Sequence, residues 1–219
     1  MIVYGIKEPP PFRRALRMAG TLCIAAGVLL VLAPFGWIAY TAVAVGPAQT
    51  AALAAWESAQ SERAVTTGEP AQGGRPAADG TASQGMVLTI PRLELRRYVP
   101  EGATPEHLRR FGVGRITWTP LPDRPGVLGI AGHRTTYGAP FFRLDTLRRG
   151  DVILVEYGGR RYRYAVVESQ VVRPERVEVL SAPLGERGIA LVTCTPAYSA
   201  AFRLVVLGVL RGVTPAAAP

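Results

Sequence analysis

Apolar side chains are distributed in two different ways along the chain. Residues 18–45 form a run of 28 residues without one charged side chain, whereas from about residue 86 short apolar stretches alternate with polar residues. The first pattern predicts a helix about 42 Å long, which is enough to cross a hydrocarbon core of about 30 Å. The second pattern is typical of half-buried β-strands. The sequence therefore predicts one transmembrane helix over residues 18–45, followed by a β-rich domain.

The charges that flank the apolar run indicate its orientation. Residues 1–17 contain four basic side chains and one acid, namely Lys7, Arg13, Arg14, Arg17 and Glu8. The positive-inside rule predicts that residues 1–17 are a cytoplasmic tail and that the chain after about residue 46 lies outside the membrane. The alternative is a signal peptide cleaved after the small residues 42–44. Because the apolar core of a signal peptide usually has about 7–15 residues, the longer run favours an uncleaved single-pass anchor.

Residues 46–85 differ in composition from both neighbouring segments. The segment 50–63 is rich in Ala and could extend the helix, but residues 66–85 are mostly Gly, Pro, Ala, Thr and Ser. Such a composition provides too few large apolar side chains to form a packed core. We expect residues 46–85 to be a flexible linker that holds the folded domain away from the membrane.

The folded domain is predicted to span residues 86–212 and to be followed by a tail at residues 213–219. Alternation and turn signals indicate about eight strands, with β segments at residues 87–90, 93–95, 127–131, 151–157, 160–167, 171–172, 177–180, 189–194 and 202–210. Thr104 followed by Pro105 predicts the start of one short helix that ends near Phe111. So many short strands favour a closed or nearly closed antiparallel β-barrel, because closure removes exposed edges.

The net charge of +9 comes almost entirely from arginine, since Lys7 is the only lysine. The arginines are scattered through every segment and form no basic block interleaved with aromatic residues, so the charge does not indicate nucleic-acid binding. Attraction of the protein to an anionic cell surface is another explanation that fits the positive net charge. No cysteines at metal-ligand spacing and no histidine pair are present, and we expect no metal and no cofactor.

Cys194 is the first candidate for a reactive group. The chain has two cysteines, and Cys23 lies within the predicted membrane span, so the two sulfur atoms cannot pair within one chain. Cys194 ends a predicted strand, and the following Thr-Pro sequence stops the strand where a substrate could reach the sulfur. A thiolate attacks carbonyl groups well when a neighbouring base or cation raises the thiolate fraction.

Two further side chains could act with this thiol. His133 follows an apolar strand in a loop that has glycine on both sides, where functional groups are often placed, whereas His107 lies in the predicted short helix and is interpreted as a solvated residue. Arg203 begins an extended run and shares one face with Val205 and Leu207. It is either an exposed strand end or a hydrogen-bond donor for a substrate or oxyanion.

Three motifs together resemble the sortase transpeptidases. They are Gly-His-Arg-Thr-Thr-Tyr-Gly-Ala-Pro around His133, Leu-Asp-Thr-Leu at residues 144–147, and Leu-Val-Thr-Cys-Thr-Pro at residues 191–196 with Arg203 nine residues after the cysteine. The loop around His133 is most similar to that of class E sortases of actinobacteria. The resemblance covers about residues 86–210. It implies an eight-stranded sortase-type β-barrel with short helices, an N-terminal membrane anchor and an extracellular active site.

The resemblance also implies roles for individual residues. Cys194 would be the nucleophile, His133 the general acid and base, and Arg203 the group that stabilises the substrate and the oxyanion. Tyr137, Thr193 and Thr195 are expected to contribute to substrate binding. The substrates would be secreted proteins that carry an LAxTG-like or LPxTG-like sorting signal, cleaved between Thr and Gly through a thioacyl intermediate. The acceptor would be an amine of a peptidoglycan precursor or a pilin lysine.

Two departures from the family pattern bear on substrate preference, and other functions stay open. Residues 114–120 lack the Gly-His-Tyr-Pro-Gly type of sequence common there, and Thr195 stands where a histidine is frequent. A cysteine hydrolase would use the same Cys and His but would be expected to orient the His with Asn or Asp, and the domain has no asparagine. A membrane-tethered binding module with an incidental thiol is the third possibility. No segment resembling a lid over the site is evident, which favours a housekeeping role over pilin assembly.

Overall fold

The computed structural model describes residues 11–67, 85–181 and 184–216. The first element is helix α1, Pro11–Thr67, and by length and composition it is the one described helix that could cross a membrane. The chain divides into two compact units, one up to Tyr40 and one from Thr41 onward. In the first unit the apolar side chains of the helix are exposed along its length. A helix that is apolar on all sides is typical of a membrane span.

Helix α1 continues into the segment expected to be linker, because residues 46–67 are helical. The rest of that segment, residues 68–84, lies outside the described residues, as do residues 1–10 of the expected cytoplasmic tail and residues 217–219 of the C-terminal tail.

The second unit contains eight strands and a second helix. The strands are β1 (Met86–Ile90), β2 (Leu95–Val99), β3 (Val113–Arg115), β4 (Gly126–Gly132), β5 (Val152–Tyr157), β6 (Arg160–Val172), β7 (Arg187–Thr195) and β8 (Phe202–Pro215), and the helix is α2 (Pro105–Phe111). They form one sheet in the order β2-β1-β5-β6-β8-β7-β4-β3. A bridge between Glu101 and Arg115 brings the two ends of the sheet together, so the predicted nearly closed eight-stranded barrel is confirmed.

The expectation of a wholly antiparallel barrel is wrong at one pair of strands. β4 and β7 run parallel, with Ala131 opposite Val192, whereas the other neighbouring pairs among the described strands are antiparallel. Parallel neighbours need a long crossover, and here the β5–β6 hairpin and the connection after it provide that crossover. The hairpin itself was predicted, and its turn is Gly158-Gly159 with φ values of 57° and 73°.

The barrel buries side chains on both of its faces. Its interior is filled by large apolar residues from the strands, among them Leu88, Ile130, Ile153, Tyr164, Leu191 and Val206. A second, smaller cluster lies on the outer face of β4, β7 and β8 and contains Val127, Leu180, Ala190, Val205 and Leu207. Because side chains alternate along a strand, each of these strands contributes to both clusters.

The connection between β6 and β7 covers this outer face. Residues 177–180 were expected to be a β segment, but Val177–Ser181 is a 3₁₀ helix that packs against β4. Leu180 is buried in the outer cluster. The segment lies over the face of the sheet rather than along an edge, so it has no strand with which to pair.

Helix α2 has the ends that its sequence predicts. Its N-cap Thr104 accepts a hydrogen bond from the backbone N–H of His107 (3.2 Å), and Pro105 occupies the first turn. Gly112 ends the helix with a φ of 75°, a left-handed conformation that glycine adopts without strain. The Nδ1 atom of His107 lies 3.1 Å from the carbonyl oxygen of Gly102, and the residue is partly buried, so this histidine has a local structural contact where the sequence suggested a solvated side chain.

Candidate active site

The registers of three neighbouring strands bring the three candidate side chains into one row. In the antiparallel β7–β8 pair, Cys194 lies directly opposite Arg203. In the parallel β4–β7 pair, Ala131 lies opposite Val192, and continuing this register two residues further aligns His133 with Cys194. We call these three residues the His–Cys–Arg row. Cys194 is its central member, between the end of β4 and the start of β8.

The His–Cys–Arg row lies on the outer face of the barrel. Side chains two residues apart on a strand share a face, so Cys194 shares its face with Val192 and Ala190, and Arg203 shares its face with Val205. Ala190 and Val205 belong to the outer cluster, and Val192 packs against that cluster. The thiol is therefore at the end of an apolar surface rather than inside the barrel, and the Cys194 residue is partly exposed.

The backbone of His133 is fixed from two sides. Its N–H donates to the carbonyl of Gly112 (2.9 Å), and its carbonyl accepts a hydrogen bond from the N–H of Phe141 (3.1 Å). The first bond joins the loop that follows β4 to the end of α2, and the second joins the beginning of this loop to its end at Phe141. The backbone of His133, from which the imidazole extends, is therefore held by hydrogen bonds at both its N–H and its carbonyl.

The imidazole of His133 is packed but keeps one nitrogen free of protein partners. Its ring centroid is 4.9 Å from that of Tyr137, and the two planes are inclined by 37°. The Nδ1 atom is 3.5 Å from Oγ1 of Thr136. The Nε2 atom is buried and has no hydrogen-bond partner among the residues that the structure describes. A nitrogen in this situation can accept or donate a proton when a reacting group comes within reach.

Burial lowers the pKa of His133 below its ordinary value of 6.5, and the positive charge of Arg109 on α2 lowers it further. Desolvation disfavours the charged imidazolium, and a nearby cation acts in the same direction. At neutral pH the ring is therefore mostly neutral, which is the form that can take a proton from a thiol. Among the described residues there is no hydrogen bond between the Cys194 thiol and this ring, and such contacts often tighten only when substrate binds.

Arg203 is held at the start of β8 by its own loop. Its Nη1 donates to the carbonyls of Ala200 (3.0 Å) and Phe202 (3.1 Å). Its Nε and Nη2 groups make no hydrogen bond within the part of the chain that the structure describes. A guanidinium group that is held through one nitrogen keeps further donors for an anionic or carbonyl group.

Arg134 is a site residue that the sequence reasoning missed. It is only 8% exposed, and its Nη2 forms an ion pair with Oδ2 of Asp145 (2.9 Å). Its Nη1 donates to Oγ1 of Thr195 (2.9 Å) and lies 3.5 Å from the carbonyl of Cys194. Arg134 therefore joins the loop of His133 to the strand of Cys194. A charged residue directly after the candidate histidine, with an acid in the Leu-Asp-Thr-Leu motif downstream, was the available signal.

The three residues expected to bind substrate surround the His–Cys–Arg row in different ways. Thr193 is 2% exposed, and its hydroxyl donates to the carbonyl of Gly132 (2.8 Å), so it connects β7 to β4. The hydroxyl of Thr195 accepts from Arg134, and the ring of Tyr137 packs on His133. Tyr137 also has a φ of 50°, which is uncommon for a large side chain. Contact of these three residues with a substrate stays a prediction.

A surface pocket of about 560 Å3 lies beside Arg203. It is lined by Gln170, Val171, Val172, Arg173, Arg176 and Phe202. Val172 of β6 is the cross-strand partner of Arg203, so the pocket is next to the end of the His–Cys–Arg row. Its lining combines apolar groups with two arginines. Among the described residues, no group of three or more His, Cys, Asp or Glu side chains could hold a metal ion.

Comparison with known proteins defines the class of this barrel. The sortase domain family matches residues 88–211. The chain is 31% identical over 210 residues to sortase SrtE1 of Streptomyces coelicolor, an alignment that covers 89% of this chain and 56% of that protein. It is 36% identical over 102 residues to SrtE2 of the same organism, covering 42% of this chain and 39% of SrtE2. The chain thus spans about half the length of these relatives or less.

Solved structures lead to the same family. The crystal structure of sortase E1 from Streptomyces coelicolor with a tripeptide in its active site has a TM-score of 0.57 and 33% identity, covering 60% of this chain and 90% of that one. Sortase E from Streptomyces avermitilis has a TM-score of 0.53 and 30% identity, covering 59% and 89% respectively. The chain belongs to the sortase family, and the relatives named here are sortases E. The resemblance seen in the sequence motifs is confirmed.

Proposed function

We propose that the chain is a membrane-anchored cysteine transpeptidase in which Cys194 is the nucleophile, His133 the general acid and base, and Arg203 the stabiliser of the oxyanion. The observation that carries this proposal is the His–Cys–Arg row: Arg203 is the cross-strand partner of Cys194, and extension of the β4–β7 register beyond Ala131–Val192 places His133 on its other side. Membership of the sortase family supports the same chemistry.

The first half of the reaction would form a thioester. Neutral His133 takes the proton of the Cys194 thiol, and the thiolate attacks the carbonyl carbon of the Thr–Gly peptide bond of a sorting signal. The unused donors of Arg203 stabilise the negative charge that develops on the carbonyl oxygen. The C–N bond then breaks, His133 returns its proton to the departing amine, and the substrate stays bound to Cys194 as a thioester.

The second half would transfer the acyl group to an amine. The acceptor amine attacks the thioester carbonyl while His133 removes a proton from the amine nitrogen. The C–S bond breaks, the thiolate of Cys194 is protonated by His133, and a new amide joins the substrate to its acceptor. Atoms and charge balance over both halves without an added cofactor.

We also propose a sorting motif for the substrate and a chemical class for the acceptor. The resemblance of the loop around His133 to class E sortases implies an LAxTG-like signal, with LPxTG as a related alternative, on secreted proteins. The acceptor would be an amine of a peptidoglycan precursor, and a pilin lysine would make the protein a pilin polymerase instead.

The proposed location is the cell membrane, with one span. Residues 1–17 would be cytoplasmic, residues 18–45 would cross the membrane, and the catalytic domain over residues 86–212 would be extracellular. The exposed apolar helix of the first unit and the charges at the N-terminus support this arrangement.

A membrane-anchored cysteine hydrolase is the second candidate, because it would use the same Cys194 and His133. Hydrolases of this kind usually orient the histidine with Asn or Asp. Within the described residues the imidazole has Thr136 as its polar neighbour, and the nearby Asp145 is paired with Arg134 instead. The imidazole thus lacks, among the described residues, the carboxylate or amide partner that such a hydrolase would be expected to have.

The test uses the full chain in detergent or nanodiscs with a fluorescent LAxTG peptide and an added amine. Mass spectrometry should show the peptide cleaved after Thr and joined to the amine, and a thioester adduct should form on Cys194. Cys194→Ala should lose both products, while the matched Cys23→Ala variant should keep them. Cleavage without amine transfer would identify a hydrolase, and unchanged turnover by Cys194→Ala would refute catalysis at this residue.

A further inference from the structure

The barrel has a seam between its edge strands β2 and β3, which no ladder among the described residues joins; an isolated bridge and an ion pair between Glu101 and Arg115, and a hydrogen bond from the Arg115 N–H to the carbonyl of Pro100 (3.0 Å), connect the two sides. Helix α1 lies along this side of the barrel after Thr41, within the same compact unit. Thr41, Val45 and Gln49 recur at every fourth position of the helix and are 1%, 4% and 4% exposed. Residues spaced by four lie on one face of a helix, so this face is packed against protein.

Gln49 makes three hydrogen bonds with the two sides of the seam. Its Nε2 donates to the carbonyl of Tyr98 in β2 (2.9 Å) and to the carbonyl of Phe111 at the end of α2 (2.6 Å). Its Oε1 accepts from the N–H of Tyr98 (2.9 Å). The side-chain amide thus pairs with both backbone groups of Tyr98 as a neighbouring strand would. It supplies partners that an edge strand otherwise lacks.

The contact of Gln49 continues to His133 through two consecutive carbonyl groups. The carbonyl of Phe111 accepts from Gln49, and the next carbonyl, that of Gly112, accepts from the N–H of His133 (2.9 Å). The turn at Gly112 is also packed closely against the His133 loop, because a Cβ added to Gly112 would be 2.7 Å from the carbonyl oxygen of Tyr137. A shift of residues 111–112 would therefore be felt directly at the histidine.

Helix α1 also lies beside the far end of the His133 loop. A Cβ placed on Gly138 would be 3.5 Å from Cγ1 of Val45, which shows that the helix and this glycine are nearly in contact. Gly138 has a φ of 76°, so the position also requires a conformation that side chains rarely adopt. The helix therefore reaches the loop segment 133–138 at both ends, beside Gly138 and, at His133, indirectly through residues 111–112.

An ion pair lies further along the same helix. Nη1 of Arg96 in β2 is 2.6 Å from Oε1 of Glu57, and both side chains are about two-fifths exposed. Exposed ion pairs contribute little to stability. This contact therefore adds little to the free energy that holds the helix against the barrel, although it lies on the same side of the helix. The buried amide of Gln49 is the contact on which the arrangement depends most.

We propose that residues 41–57 form a brace that closes the barrel seam and fixes the His133 loop, and that Gln49 is a positioning residue for His133. The proposal rests on the proposed function, since it assigns the brace to the catalytic histidine. It gives the segment after the membrane span a role in catalysis rather than that of a spacer. Loss of the brace should reduce kcat more than it changes KM, because the loop carries the proton-transfer group.

The experiment compares variants of the full chain in nanodiscs, all in a Cys23→Ala background. Gln49→Leu keeps the side-chain size but removes all three hydrogen bonds. Val45→Ala leaves those bonds in place and removes the methyl groups that lie beside Gly138. Thr50→Val alters an exposed neighbour on the same helix and is the matched control. Hydrogen–deuterium exchange of residues 133–138 is measured first. Gln49→Leu should exchange about tenfold faster there, because local opening becomes easier when the contacts that oppose it are lost.

Two functional measurements accompany the exchange. In Gln49→Leu, kcat on the sorting peptide should fall about tenfold while KM stays within about twofold, as expected for a misplaced proton-transfer group. The rate of Cys194 alkylation by iodoacetamide at neutral pH should fall in the same variant, because a displaced imidazole is a poorer proton acceptor for the thiol. Val45→Ala should show smaller changes of the same kind, and Thr50→Val should match the parent in every measurement.

The outcomes separate the brace from the proposed function. Exchange and alkylation need no turnover, so an inactive parent chain would refute the transpeptidase while leaving the brace testable. Loop exchange in Gln49→Leu equal to that of the parent would overturn the brace. If circular dichroism shows that Gln49→Leu does not fold, the test uses Val45→Ala instead. Hydrogen–deuterium exchange of residues 133–138 equal to that of the parent in a folded Val45→Ala variant would then overturn the proposal.

Discussion

Cys194 and Arg203 are direct partners across the β7–β8 ladder. Residues opposite each other in an antiparallel pair point to the same face, with Cβ atoms about 4.5–5.5 Å apart. The thiol and the guanidinium therefore share the outer face of the barrel, which alternation within β8 alone left undecided. The pairing makes the short connection between the two strands, residues 196–201, part of the same site.

The first prediction concerns the guanidinium of Arg203. Arg203→Lys keeps the charge but loses the planar set of donors, and we expect kcat/KM to fall about 10²-fold, in the range seen when one oxyanion donor is removed. Steady-state kinetics with a sorting peptide and an amine measure this. Arg211→Lys, an exposed change on the same strand, is the control. Equal losses in the two variants would mean that Arg203 does not act at the reacting carbonyl.

The second prediction concerns the protonation of His133. Because burial and Arg109 lower its pKa, titration of its ring by NMR in a Cys194→Ala background should give a value below 6.5. Arg109→Gln should raise this value, since one of the two causes is removed. Arg110→Gln, on the same helix, should not. A pKa unchanged by Arg109→Gln would show that burial alone governs the ring.

The same shift predicts how stability depends on pH. The unfolded chain binds a proton at His133 near pH 6.5, whereas the folded chain binds it only at lower pH. Between those two values the unfolded state holds more protons, so this residue makes stability rise with pH in that interval and lowers it as the pH falls. Urea unfolding of the parent and of His133→Gln across pH 5–7.5 should show a weaker pH dependence in the variant.

Local patterns made much of the fold predictable. The helix from Pro105 to Phe111 and the β5–β6 hairpin depend on a cap, a proline and a pair of glycines, all adjacent in sequence. The parallel pairing of β4 with β7 was not predicted, because no local pattern specifies which distant strand becomes a neighbour. β3 has only three residues, too few for alternation to show.

The candidate site was predictable only in part for a similar reason. Cys194, His133 and Arg203 stand out as residue types in unusual surroundings. Arg134 and Gln49 become informative only through partners 61 and 49 residues away. Burial of a polar side chain depends on these distant contacts, and composition gave no sign that the chain near Gln49 would pack against the barrel.

The third prediction concerns the link made by Arg134. Arg134→Lys cannot keep both Thr195 and Asp145, because an ammonium group lacks the planar fork of a guanidinium. We expect the free energy of unfolding to fall by about 1–3 kcal/mol, the cost of leaving a buried polar group unpaired, and kcat to fall as well. Chemical unfolding and kinetics measure the two effects. Arg143→Lys, exposed in the same loop, should change neither.

Gly132 carries the last prediction, because it immediately precedes His133 and leaves no room for a side chain. A Cβ at this position would be 2.6 Å from the ring of Phe141 and 3.0 Å from Cγ1 of Val113, both in the core. Gly132→Ala should therefore lower the free energy of unfolding by about 1–3 kcal/mol through overpacking. The backbone shift should also reduce activity at temperatures well below the melting transition. The carbonyl of Gly132 accepts a hydrogen bond from the hydroxyl of Thr193, so the shift would disturb the connection between the strands that carry His133 and Cys194.

Gly212→Ala is the matched control, since Gly212 also lies in a strand but has no atom within 4 Å of the added Cβ. We expect this variant to keep full activity and to be as stable as the parent or more stable by about 0.5 kcal/mol, because alanine restricts the unfolded chain. Thermal unfolding of both variants gives the comparison. Equal melting temperatures for the two would contradict the close packing of Phe141 against the strand that ends at the histidine.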